Sequence, residues 1–528
     1  MKNNNPIGYL CLVLHAHLPY VRHPEFPEFI EERWLFEAVR ECYLPLLRIL
    51  KAREMKPGAA RITLSLSPTL MAMLDDELLG GRCERYLERV ARLAESQVGK
   101  TKGDASLHPI ACFYDALSRK NLEHWRSLGD GGVVSAFADL EKAGALELIT
   151  TSATHAFLPI WKRHPDATRR QIRTGVTSFR ERVGHDPSGF WLPECGYYPG
   201  LEKYLNDEGI KYFILETHGL THARPRPAGG VYAPLYCPNG IAAFGRDPES
   251  SQQVWSARLG YPADYDYREY YRDIGGQMPI NELQALFPDA DLNPSTGFKY
   301  HRITGPGEQK APYHPGLAAE KARRHAADFL DKKVAQAKKL RSDLRVTPVI
   351  TAPFDAELFG HWWFEGPLFL EALLELADQT PAIAMVTPSD YLVRHSEGST
   401  GVPSASTWGA RGYHDVWLND TTAWMYPHLY RAAERAARLP EITEGEGSEV
   451  SRRLLVQARR EILLAQSSDW PFMMNAGRHL EYAEKRVRDH LSRFYWLADA
   501  LERQIVNEAK LSAIEKADPI FNKESLLL

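Results

Sequence analysis

The sequence predicts an α/β protein: a seven- or eight-fold barrel of parallel strands with an inserted helical subdomain and a C-terminal helical bundle domain. Three observations carry that expectation. Short apolar runs recur with helical segments between them, as parallel strands buried on both faces do. Two of these runs meet a proline and then an acid, at Leu192-Pro193-Glu194 and at Ala352-Pro353-Phe354-Asp355. Beyond residue 397 the strand pattern stops, and apolar residues fall at helical spacing alone.

In chain order, residues 8–14 form the first apolar run, and His15-Ala16-His17-Leu18-Pro19 leave its carboxyl end. Ile30, Trp34, Leu35, Val39 and Tyr43 then recur at helical spacing, and a second strand covers 61–66. Residues 75–128 are helical and charged, too long for a simple crossover, so they read as the inserted subdomain. Strands resume at 146–152, 189–192, 211–215, 241–244 and 346–352, with 381–386 a further strand at the edge. Helices at 168–183 and 317–340 fill the longest gaps. The count of seven clear strands predicts a seven- or eight-fold barrel. The Pro- and Gly-rich stretch 219–247 carries Tyr232 and Tyr236 and reads as a lid over the cleft. Residues 398–404 read as a linker. Two apolar stripes follow it: Leu454, Ala458 and Ile462, then Leu480, Ala483, Val487, Leu491 and Phe494. The domains are therefore 1–397, containing the insertion 75–128, and 398–528, which contributes to the cleft.

Composition narrows the function. Of 528 residues 44 % are hydrophobic and 25 % charged, with a net charge of -4, so neither nucleic acid nor an anionic membrane is an expected partner. A neutral substrate is. Residues 1–6 are polar and show no secretory leader, and no stretch approaches the roughly 20 apolar residues of a membrane helix. The 6 cysteines are scattered without CxxC pairing, as in a reduced, cytoplasmic protein.

Glu194 and Asp355 each stand at a strand end where proline has taken the chain out of the sheet. Both are surrounded in sequence by aromatic residues, which stack on sugar rings. Retaining glycoside hydrolysis needs two carboxyl groups roughly 5–5.5 Å apart, one as nucleophile and one as acid/base. His15 and His17, at i and i+2, face one side of a strand; that spacing suits sugar hydroxyls and also suits a metal. Glu147, Glu216 and Asp247 also lie near strand ends, as substrate-binding acids or as buried, paired ones.

Five motifs occur in order along the chain: His15-Ala16-His17-Leu18-Pro19; Gly144-Ala145-Leu146-Glu147-Leu148-Ile149; Phe190-Trp191-Leu192-Pro193-Glu194-Cys195-Gly196-Tyr197; Pro353-Phe354-Asp355-Ala356-Glu357-Leu358-Phe359-Gly360-His361-Trp362; and Ser467-Ser468-Asp469-Trp470-Pro471-Phe472. On these the sequence resembles glycoside hydrolase family 57, and within it the α-1,4-glucan branching enzymes. The resemblance implies an α/β fold, a (β/α)7 barrel with an inserted helical subdomain and a C-terminal helical bundle domain. It also implies a retaining mechanism without metal or other cofactor, with Glu194 as nucleophile and Asp355 as acid/base. It implies α-glucan chains, such as amylose and glycogen, as donor and acceptor. Matched to substrate binding are His15, His17, Glu147, His155, Trp191, Tyr236, Asp247, Trp255, His361, Trp362, Trp408, Trp417 and Asp469. The family also holds α-amylases and 4-α-glucanotransferases. A metal-dependent polysaccharide deacetylase and a catalytically silent glucan-binding protein are the readings from other classes.

Overall fold

Alternation along the first apolar run decides both faces of the barrel wall. In β1 (Gly8–Ala16) Tyr9, Cys11 and Val13 join one apolar cluster, while Leu10, Leu12 and Leu14 join another. The first cluster fills the barrel interior with Ile149, Trp191, Tyr212, Ile214, Ala242, Phe244 and Val349. The second lies between the wall and the surrounding helices. The period of two is what makes a strand belong to both layers. The computed structural model describes residues 6–54, 56, 58–256, 259–290, 293–305, 309–344, 346–439 and 448–527, so the first five residues of the polar start lie outside it.

Six more parallel strands complete the wall: β2 (Ile62–Leu66), β3 (Leu146–Ile149), β4 (Gly189–Phe190), β5 (Tyr212–Leu215), β6 (Ala242–Gly245) and β7 (Val349–Asp355). Ladders join β7, β1, β2 and β3 on one side, and β4, β5 and β6 on the other. Single parallel bridges, Thr150 to Phe190 and Arg246 to Thr351, close the two arcs into one ring. β4 is short because Pro193 removes the next donor, although Trp191 N still reaches Thr150 O at 2.8 Å. Gly189 is required in β4: a Cβ there would come within 2.2 Å of the Tyr212 ring.

Each predicted strand is present within a few residues, and the predicted edge strand is Ile383–Met385, paired to the amino end of β1. Two expectations are corrected. The stretch 219–247 is no lid: its strand Leu235–Tyr236 runs antiparallel along the amino half of β6, pinned by pairing that the Pro- and Gly-rich composition hides. Residues 398–404 are no free linker, because Ser399–Thr400 extends that pairing and Val402 bonds Arg224 in both directions.

Helices Glu77–Thr101 and His108–Ser127 pack on each other beside the barrel. The C-terminal helices Tyr426–Ala436, Glu449–Ala465 and Leu480–Arg503 share one apolar cluster with the outer faces of β4, β5 and β6. Leu455, Ile462, Phe494 and Leu497 meet Phe190, Phe213 and Leu215 in it. This common core holds the segment 466–469 over the carboxyl end of the barrel.

Candidate active site

The cleft is built from strand ends that keep the inward parity of their strands, except at β4. There Trp191 faces inward and Phe190 and Leu192 outward, and Glu194 comes to the site only through the turn after Pro193. β1 supplies His15 and His17, β2 supplies Ser65 and leads to Ser67, and β4 leads to Glu194. β5 leads to Glu216, β6 to Arg246, and β7 ends on Asp355. His15 is the register partner of both Ser65 and Asp355, so these three side chains stand in one row.

Glu194 leaves the sheet behind Pro193 in the left-handed region, at φ 59° and ψ 24°. Cys195 (φ 49°) and His155 (φ 54°) share that conformation. Left-handed backbone is unfavourable for residues with a Cβ and persists only where surrounding contacts enforce it. Here they do. Trp408 Nε1 donates to Glu194 Oε2 at 2.8 Å, and Trp408 N donates to Glu194 O at 3.1 Å. Ser468 Oγ donates to Oε1 at 3.1 Å, and His155 Nδ1 lies 3.8 Å from the same oxygen. Burial pushes the Glu194 carboxyl up; the hydrogen bond from Trp408 pulls it back, Asp469 adds to the rise, and His17 and Ser468 oppose it.

Asp355 has the other kind of environment. Burial holds its carboxyl well above the usual aspartate range, Glu357 and Glu194 add negative charge, and Arg246 alone opposes them. No described residue donates a hydrogen bond to it. Burial raises both carboxyls; hydrogen-bond donors oppose the rise at Glu194, whereas at Asp355 only Arg246 does. Arg246 is itself tied to Glu216 Oε2 at 2.9 Å and lies 5.4 Å from the centre of the Trp408 ring.

Three histidines stack behind the pair. His15 Nδ1 meets Ser65 Oγ at 3.0 Å, and its Nε2 meets His155 Nε2 at 3.0 Å. His155 Nδ1 meets Ser468 Oγ at 2.8 Å. His17 Nδ1 meets Ser67 Oγ at 2.9 Å, and its Nε2 meets both oxygens of Asp469 at 3.2 Å. Trp191 lies flat on His15 at 4.5 Å and edge-on to Trp408 at 5.2 Å. Burial drives His15 and His155 well below the ordinary imidazole range, so both are neutral.

The structure thus brings together His15, His17, His155, Trp191, Glu194, Asp355, Trp408 and Asp469. Beyond Asp355, Trp362 is exposed and 6.2 Å from Trp255, while His361 bonds Glu41 at 2.7 Å. These three form an aromatic and charged rim.

Four expected residues do not join the site. Glu147 has the right parity but the wrong depth: it sits in the lower barrel, bonded to Ser389 at 2.5 Å and beside Thr63. Asp247 caps the helix Pro248–Trp255 and pairs with the fully buried Lys333 at 3.1 Å. Its parity is opposite to that of Phe244 and Arg246, so it faces out of the barrel. Tyr236 lies at the amino end, with its hydroxyl 3.4 Å from His395 O. Trp417 is buried and stacked on Phe157 at 4.2 Å, filling the seam between barrel and helices. Conversely, Arg246, Ser468 and Glu357 were not singled out as site residues. Arg246 is legible by parity, and Ser468 lies in the motif that carries Asp469. Glu357 accepts from Tyr43 Oη at 2.5 Å and from His17 N at 3.2 Å, partners too distant in sequence to foresee.

The model of glycosyl hydrolase family 57 matches residues 11–402, and that of the 1,4-α-glucan branching enzyme C-terminal region matches 428–525. The structure is similar to an α-amylase of Thermotoga maritima, with 41 % identity, 99 % of both chains covered and a TM-score of 0.92. It is also similar to a branching enzyme of this family from Pyrococcus horikoshii, with 32 % identity, 98 % of this chain and 97 % of the other covered, and a TM-score of 0.87. A 1,4-α-glucan branching enzyme of Thermococcus kodakarensis is 32 % identical over 97 % of this chain and 76 % of its own length. With the family model spanning the barrel and relatives running the length of the chain, this protein belongs to glycosyl hydrolase family 57.

Proposed function

We propose that the chain is a 1,4-α-glucan branching enzyme. It cleaves an α-1,4 bond of a glucan donor and rejoins the released segment through an α-1,6 bond to an acceptor. The observation that carries this reading is the C-terminal region: residues 428–525 match a branching-enzyme model, and Ser468 from that region bonds the nucleophile. Glu194 attacks the anomeric carbon while Asp355 gives its proton to the leaving oxygen. Asp355, now a carboxylate, takes the proton of the acceptor's 6-hydroxyl, and that oxygen displaces Glu194 with net retention. Transfer prevails over hydrolysis only if the acceptor is held and water kept out. The exposed Trp362 and neighbouring Trp255 offer stacking faces for the acceptor.

Domain limits of 1–397 and 398–528 and a cytoplasmic setting belong to the same proposal. Its 6 cysteines are all free, as expected of a reducing compartment, and no described helix is long and apolar enough to cross a membrane. A second reading, an α-amylase, is favoured by the 41 % identity to the Thermotoga maritima structure. Incubation with amylose, debranching and chain-length analysis separates them. New short chains released only after debranching support transfer to 6-hydroxyls. Reducing ends without new α-1,6 bonds replace the proposal with the amylase. Loss of activity to EDTA together with acetate release from an acetylated glucan replaces both with a deacetylase.

A further inference from the structure

Ser468 stands where two domains meet, and its single hydroxyl proton has consequences along a chain of buried groups. It is 1 % exposed, and its backbone N–H donates to His155 O at 3.1 Å, next to the antiparallel bridge between Ala156 and Ser467. Gln171 Nε2 to Gln466 Oε1 (2.9 Å) and Thr154 Oγ1 to Leu463 O (2.5 Å) bind the same two segments. The hydroxyl is therefore placed by the docking of the helical domain.

Ser468 Oγ touches two groups, Glu194 Oε1 at 3.1 Å and His155 Nδ1 at 2.8 Å. A carboxylate only accepts, so the serine proton goes to Glu194. His155 Nδ1 must then donate to Ser468. A neutral imidazole carries one proton, so His155 Nε2 accepts, and the proton in the 3.0 Å contact belongs to His15 Nε2. His15 Nδ1 in turn accepts from Ser65 Oγ at 3.0 Å. Every hydrogen bond in the row points the same way. Such aligned chains polarise each other, and the last donor is strengthened by those behind it.

We propose that Ser468 is a positioning residue for the nucleophile, the terminal donor of a one-way chain Ser65, His15, His155, Ser468, Glu194 that forms only when the helical domain is docked. The inference rests on the proposed role of Glu194. It assigns the helical domain a part in setting the nucleophile, besides roofing the cleft. Other charged or titratable groups facing Glu194 are Asp355 from β7, His17 from β1, Asp469 from the helical domain and Arg246 behind Trp408. None of them belongs to the chain, so its effect is separable from theirs.

Two measurements test it. Nitrogen-15 shifts of labelled histidines, assigned with His15→Gln and His155→Gln, are expected to show His155 protonated at Nδ1 and His15 at Nε2. The opposite tautomer on either ring overturns the chain, whatever Glu194 does in catalysis. In kinetics on amylose, Ser468→Ala removes a donor from a carboxylate, so the proton on Glu194 binds more tightly. The acidic limb of kcat/KM should move up by about one pH unit, and kcat should fall by about 100-fold with KM little changed. Ser468→Thr, which keeps the hydroxyl, is expected to restore both. Loss of Tm with an unmoved acidic limb in Ser468→Ala, or no rescue by a folded Ser468→Thr, overturns the positioning role. Should the tautomers hold while Glu194→Gln stays active, the chain survives and the role of Glu194 falls.

Discussion

The cleft end of the barrel and the interior of the helical domain both bury acids beside histidine, and they do it in opposite ways. In the helical domain Glu461 Oε2 meets His490 Nδ1 at 2.7 Å, Asp518 is paired with Arg493, and Arg486 lies 3.6 Å from Asp518. Two arginines oppose the charge of two carboxylates and Gln457 Nε2 donates to Glu461 at 2.8 Å, although burial still raises both acids, Glu461 to about 7. Glu461, His490 and Asp518 have the spacing of metal ligands, but the neighbouring guanidinium groups already supply the positive charge. At the cleft end, among the described residues, Glu194 has two side-chain donors and no Lys or Arg in contact, while Asp355 has only Arg246 to oppose two nearby carboxylates. Compensation makes an acid structural. Where it is withheld, an acid is available for the proposed chemistry.

The comparison breaks first, and most, at the proposed catalytic pair. Glu194→Gln should lower the transfer rate by about 10⁴-fold and Asp355→Asn by about 10²–10⁴-fold, with the fold intact by circular dichroism. Asp355→Asn carries a second expectation. The folded-state carboxyl is raised, so the native protein binds this proton more tightly than the unfolded chain does, and stability falls as pH rises from the ordinary carboxylate range through the folded value. Asparagine has no such dependence. Denaturant unfolding should therefore show the variant gaining on the wild type between pH 4 and pH 8, and a constant difference would contradict the assignment.

Next comes Lys333→Met, which leaves Asp247 buried without its cation and should cost about 3–5 kcal/mol in urea unfolding. Branching per folded molecule should be unchanged, and adding Asp247→Asn should return part of the stability. Glu461→Gln in the helical cluster should cost less, about 1–3 kcal/mol, because glutamine keeps one oxygen for His490 and Gln457. Its pH–rate profile should match the wild type, in contrast to Ser468→Ala. Smallest is Tyr236→Phe. The hydroxyl contact to His395 O is long and lies at the amino end of the barrel, so neither Tm nor the ratio of branching to hydrolysis should move measurably. A shift in that ratio would return the segment 219–247 to the cleft.

Much of the architecture was already determined by the order of residues. Apolar runs alternating with helices, read with a period of two, specify seven strands and which side chains face inward. Pro193 is a local signal too, and it singles out Glu194 because a residue that cannot donate marks where a sheet ladder gives way. At Pro353 that expectation fails, since β7 stays paired to β1 through the proline as far as Asp355. Parity, applied one step further, selects Arg246 over Asp247. Depth is another matter. Glu147 and His15 satisfy the same alternation, yet one lies low in the barrel beside Thr63 and the other at the cleft beside Ser65. A period of two names the face of a strand and says nothing about its layer, which depends on how the strands are staggered around the ring. Nor does local pattern reach across the chain. Ser468 arrives at Glu194 because the helical domain shares a core with β4, β5 and β6, and Trp408 because the segment before the helices bridges Tyr197 at Ser406; Trp417 on that segment is buried against Phe157. What the sequence determined by itself is the set of groups capable of chemistry; which carboxylates are compensated, and by which distant donors, is a property of packing, because it depends on neighbours separated by hundreds of residues.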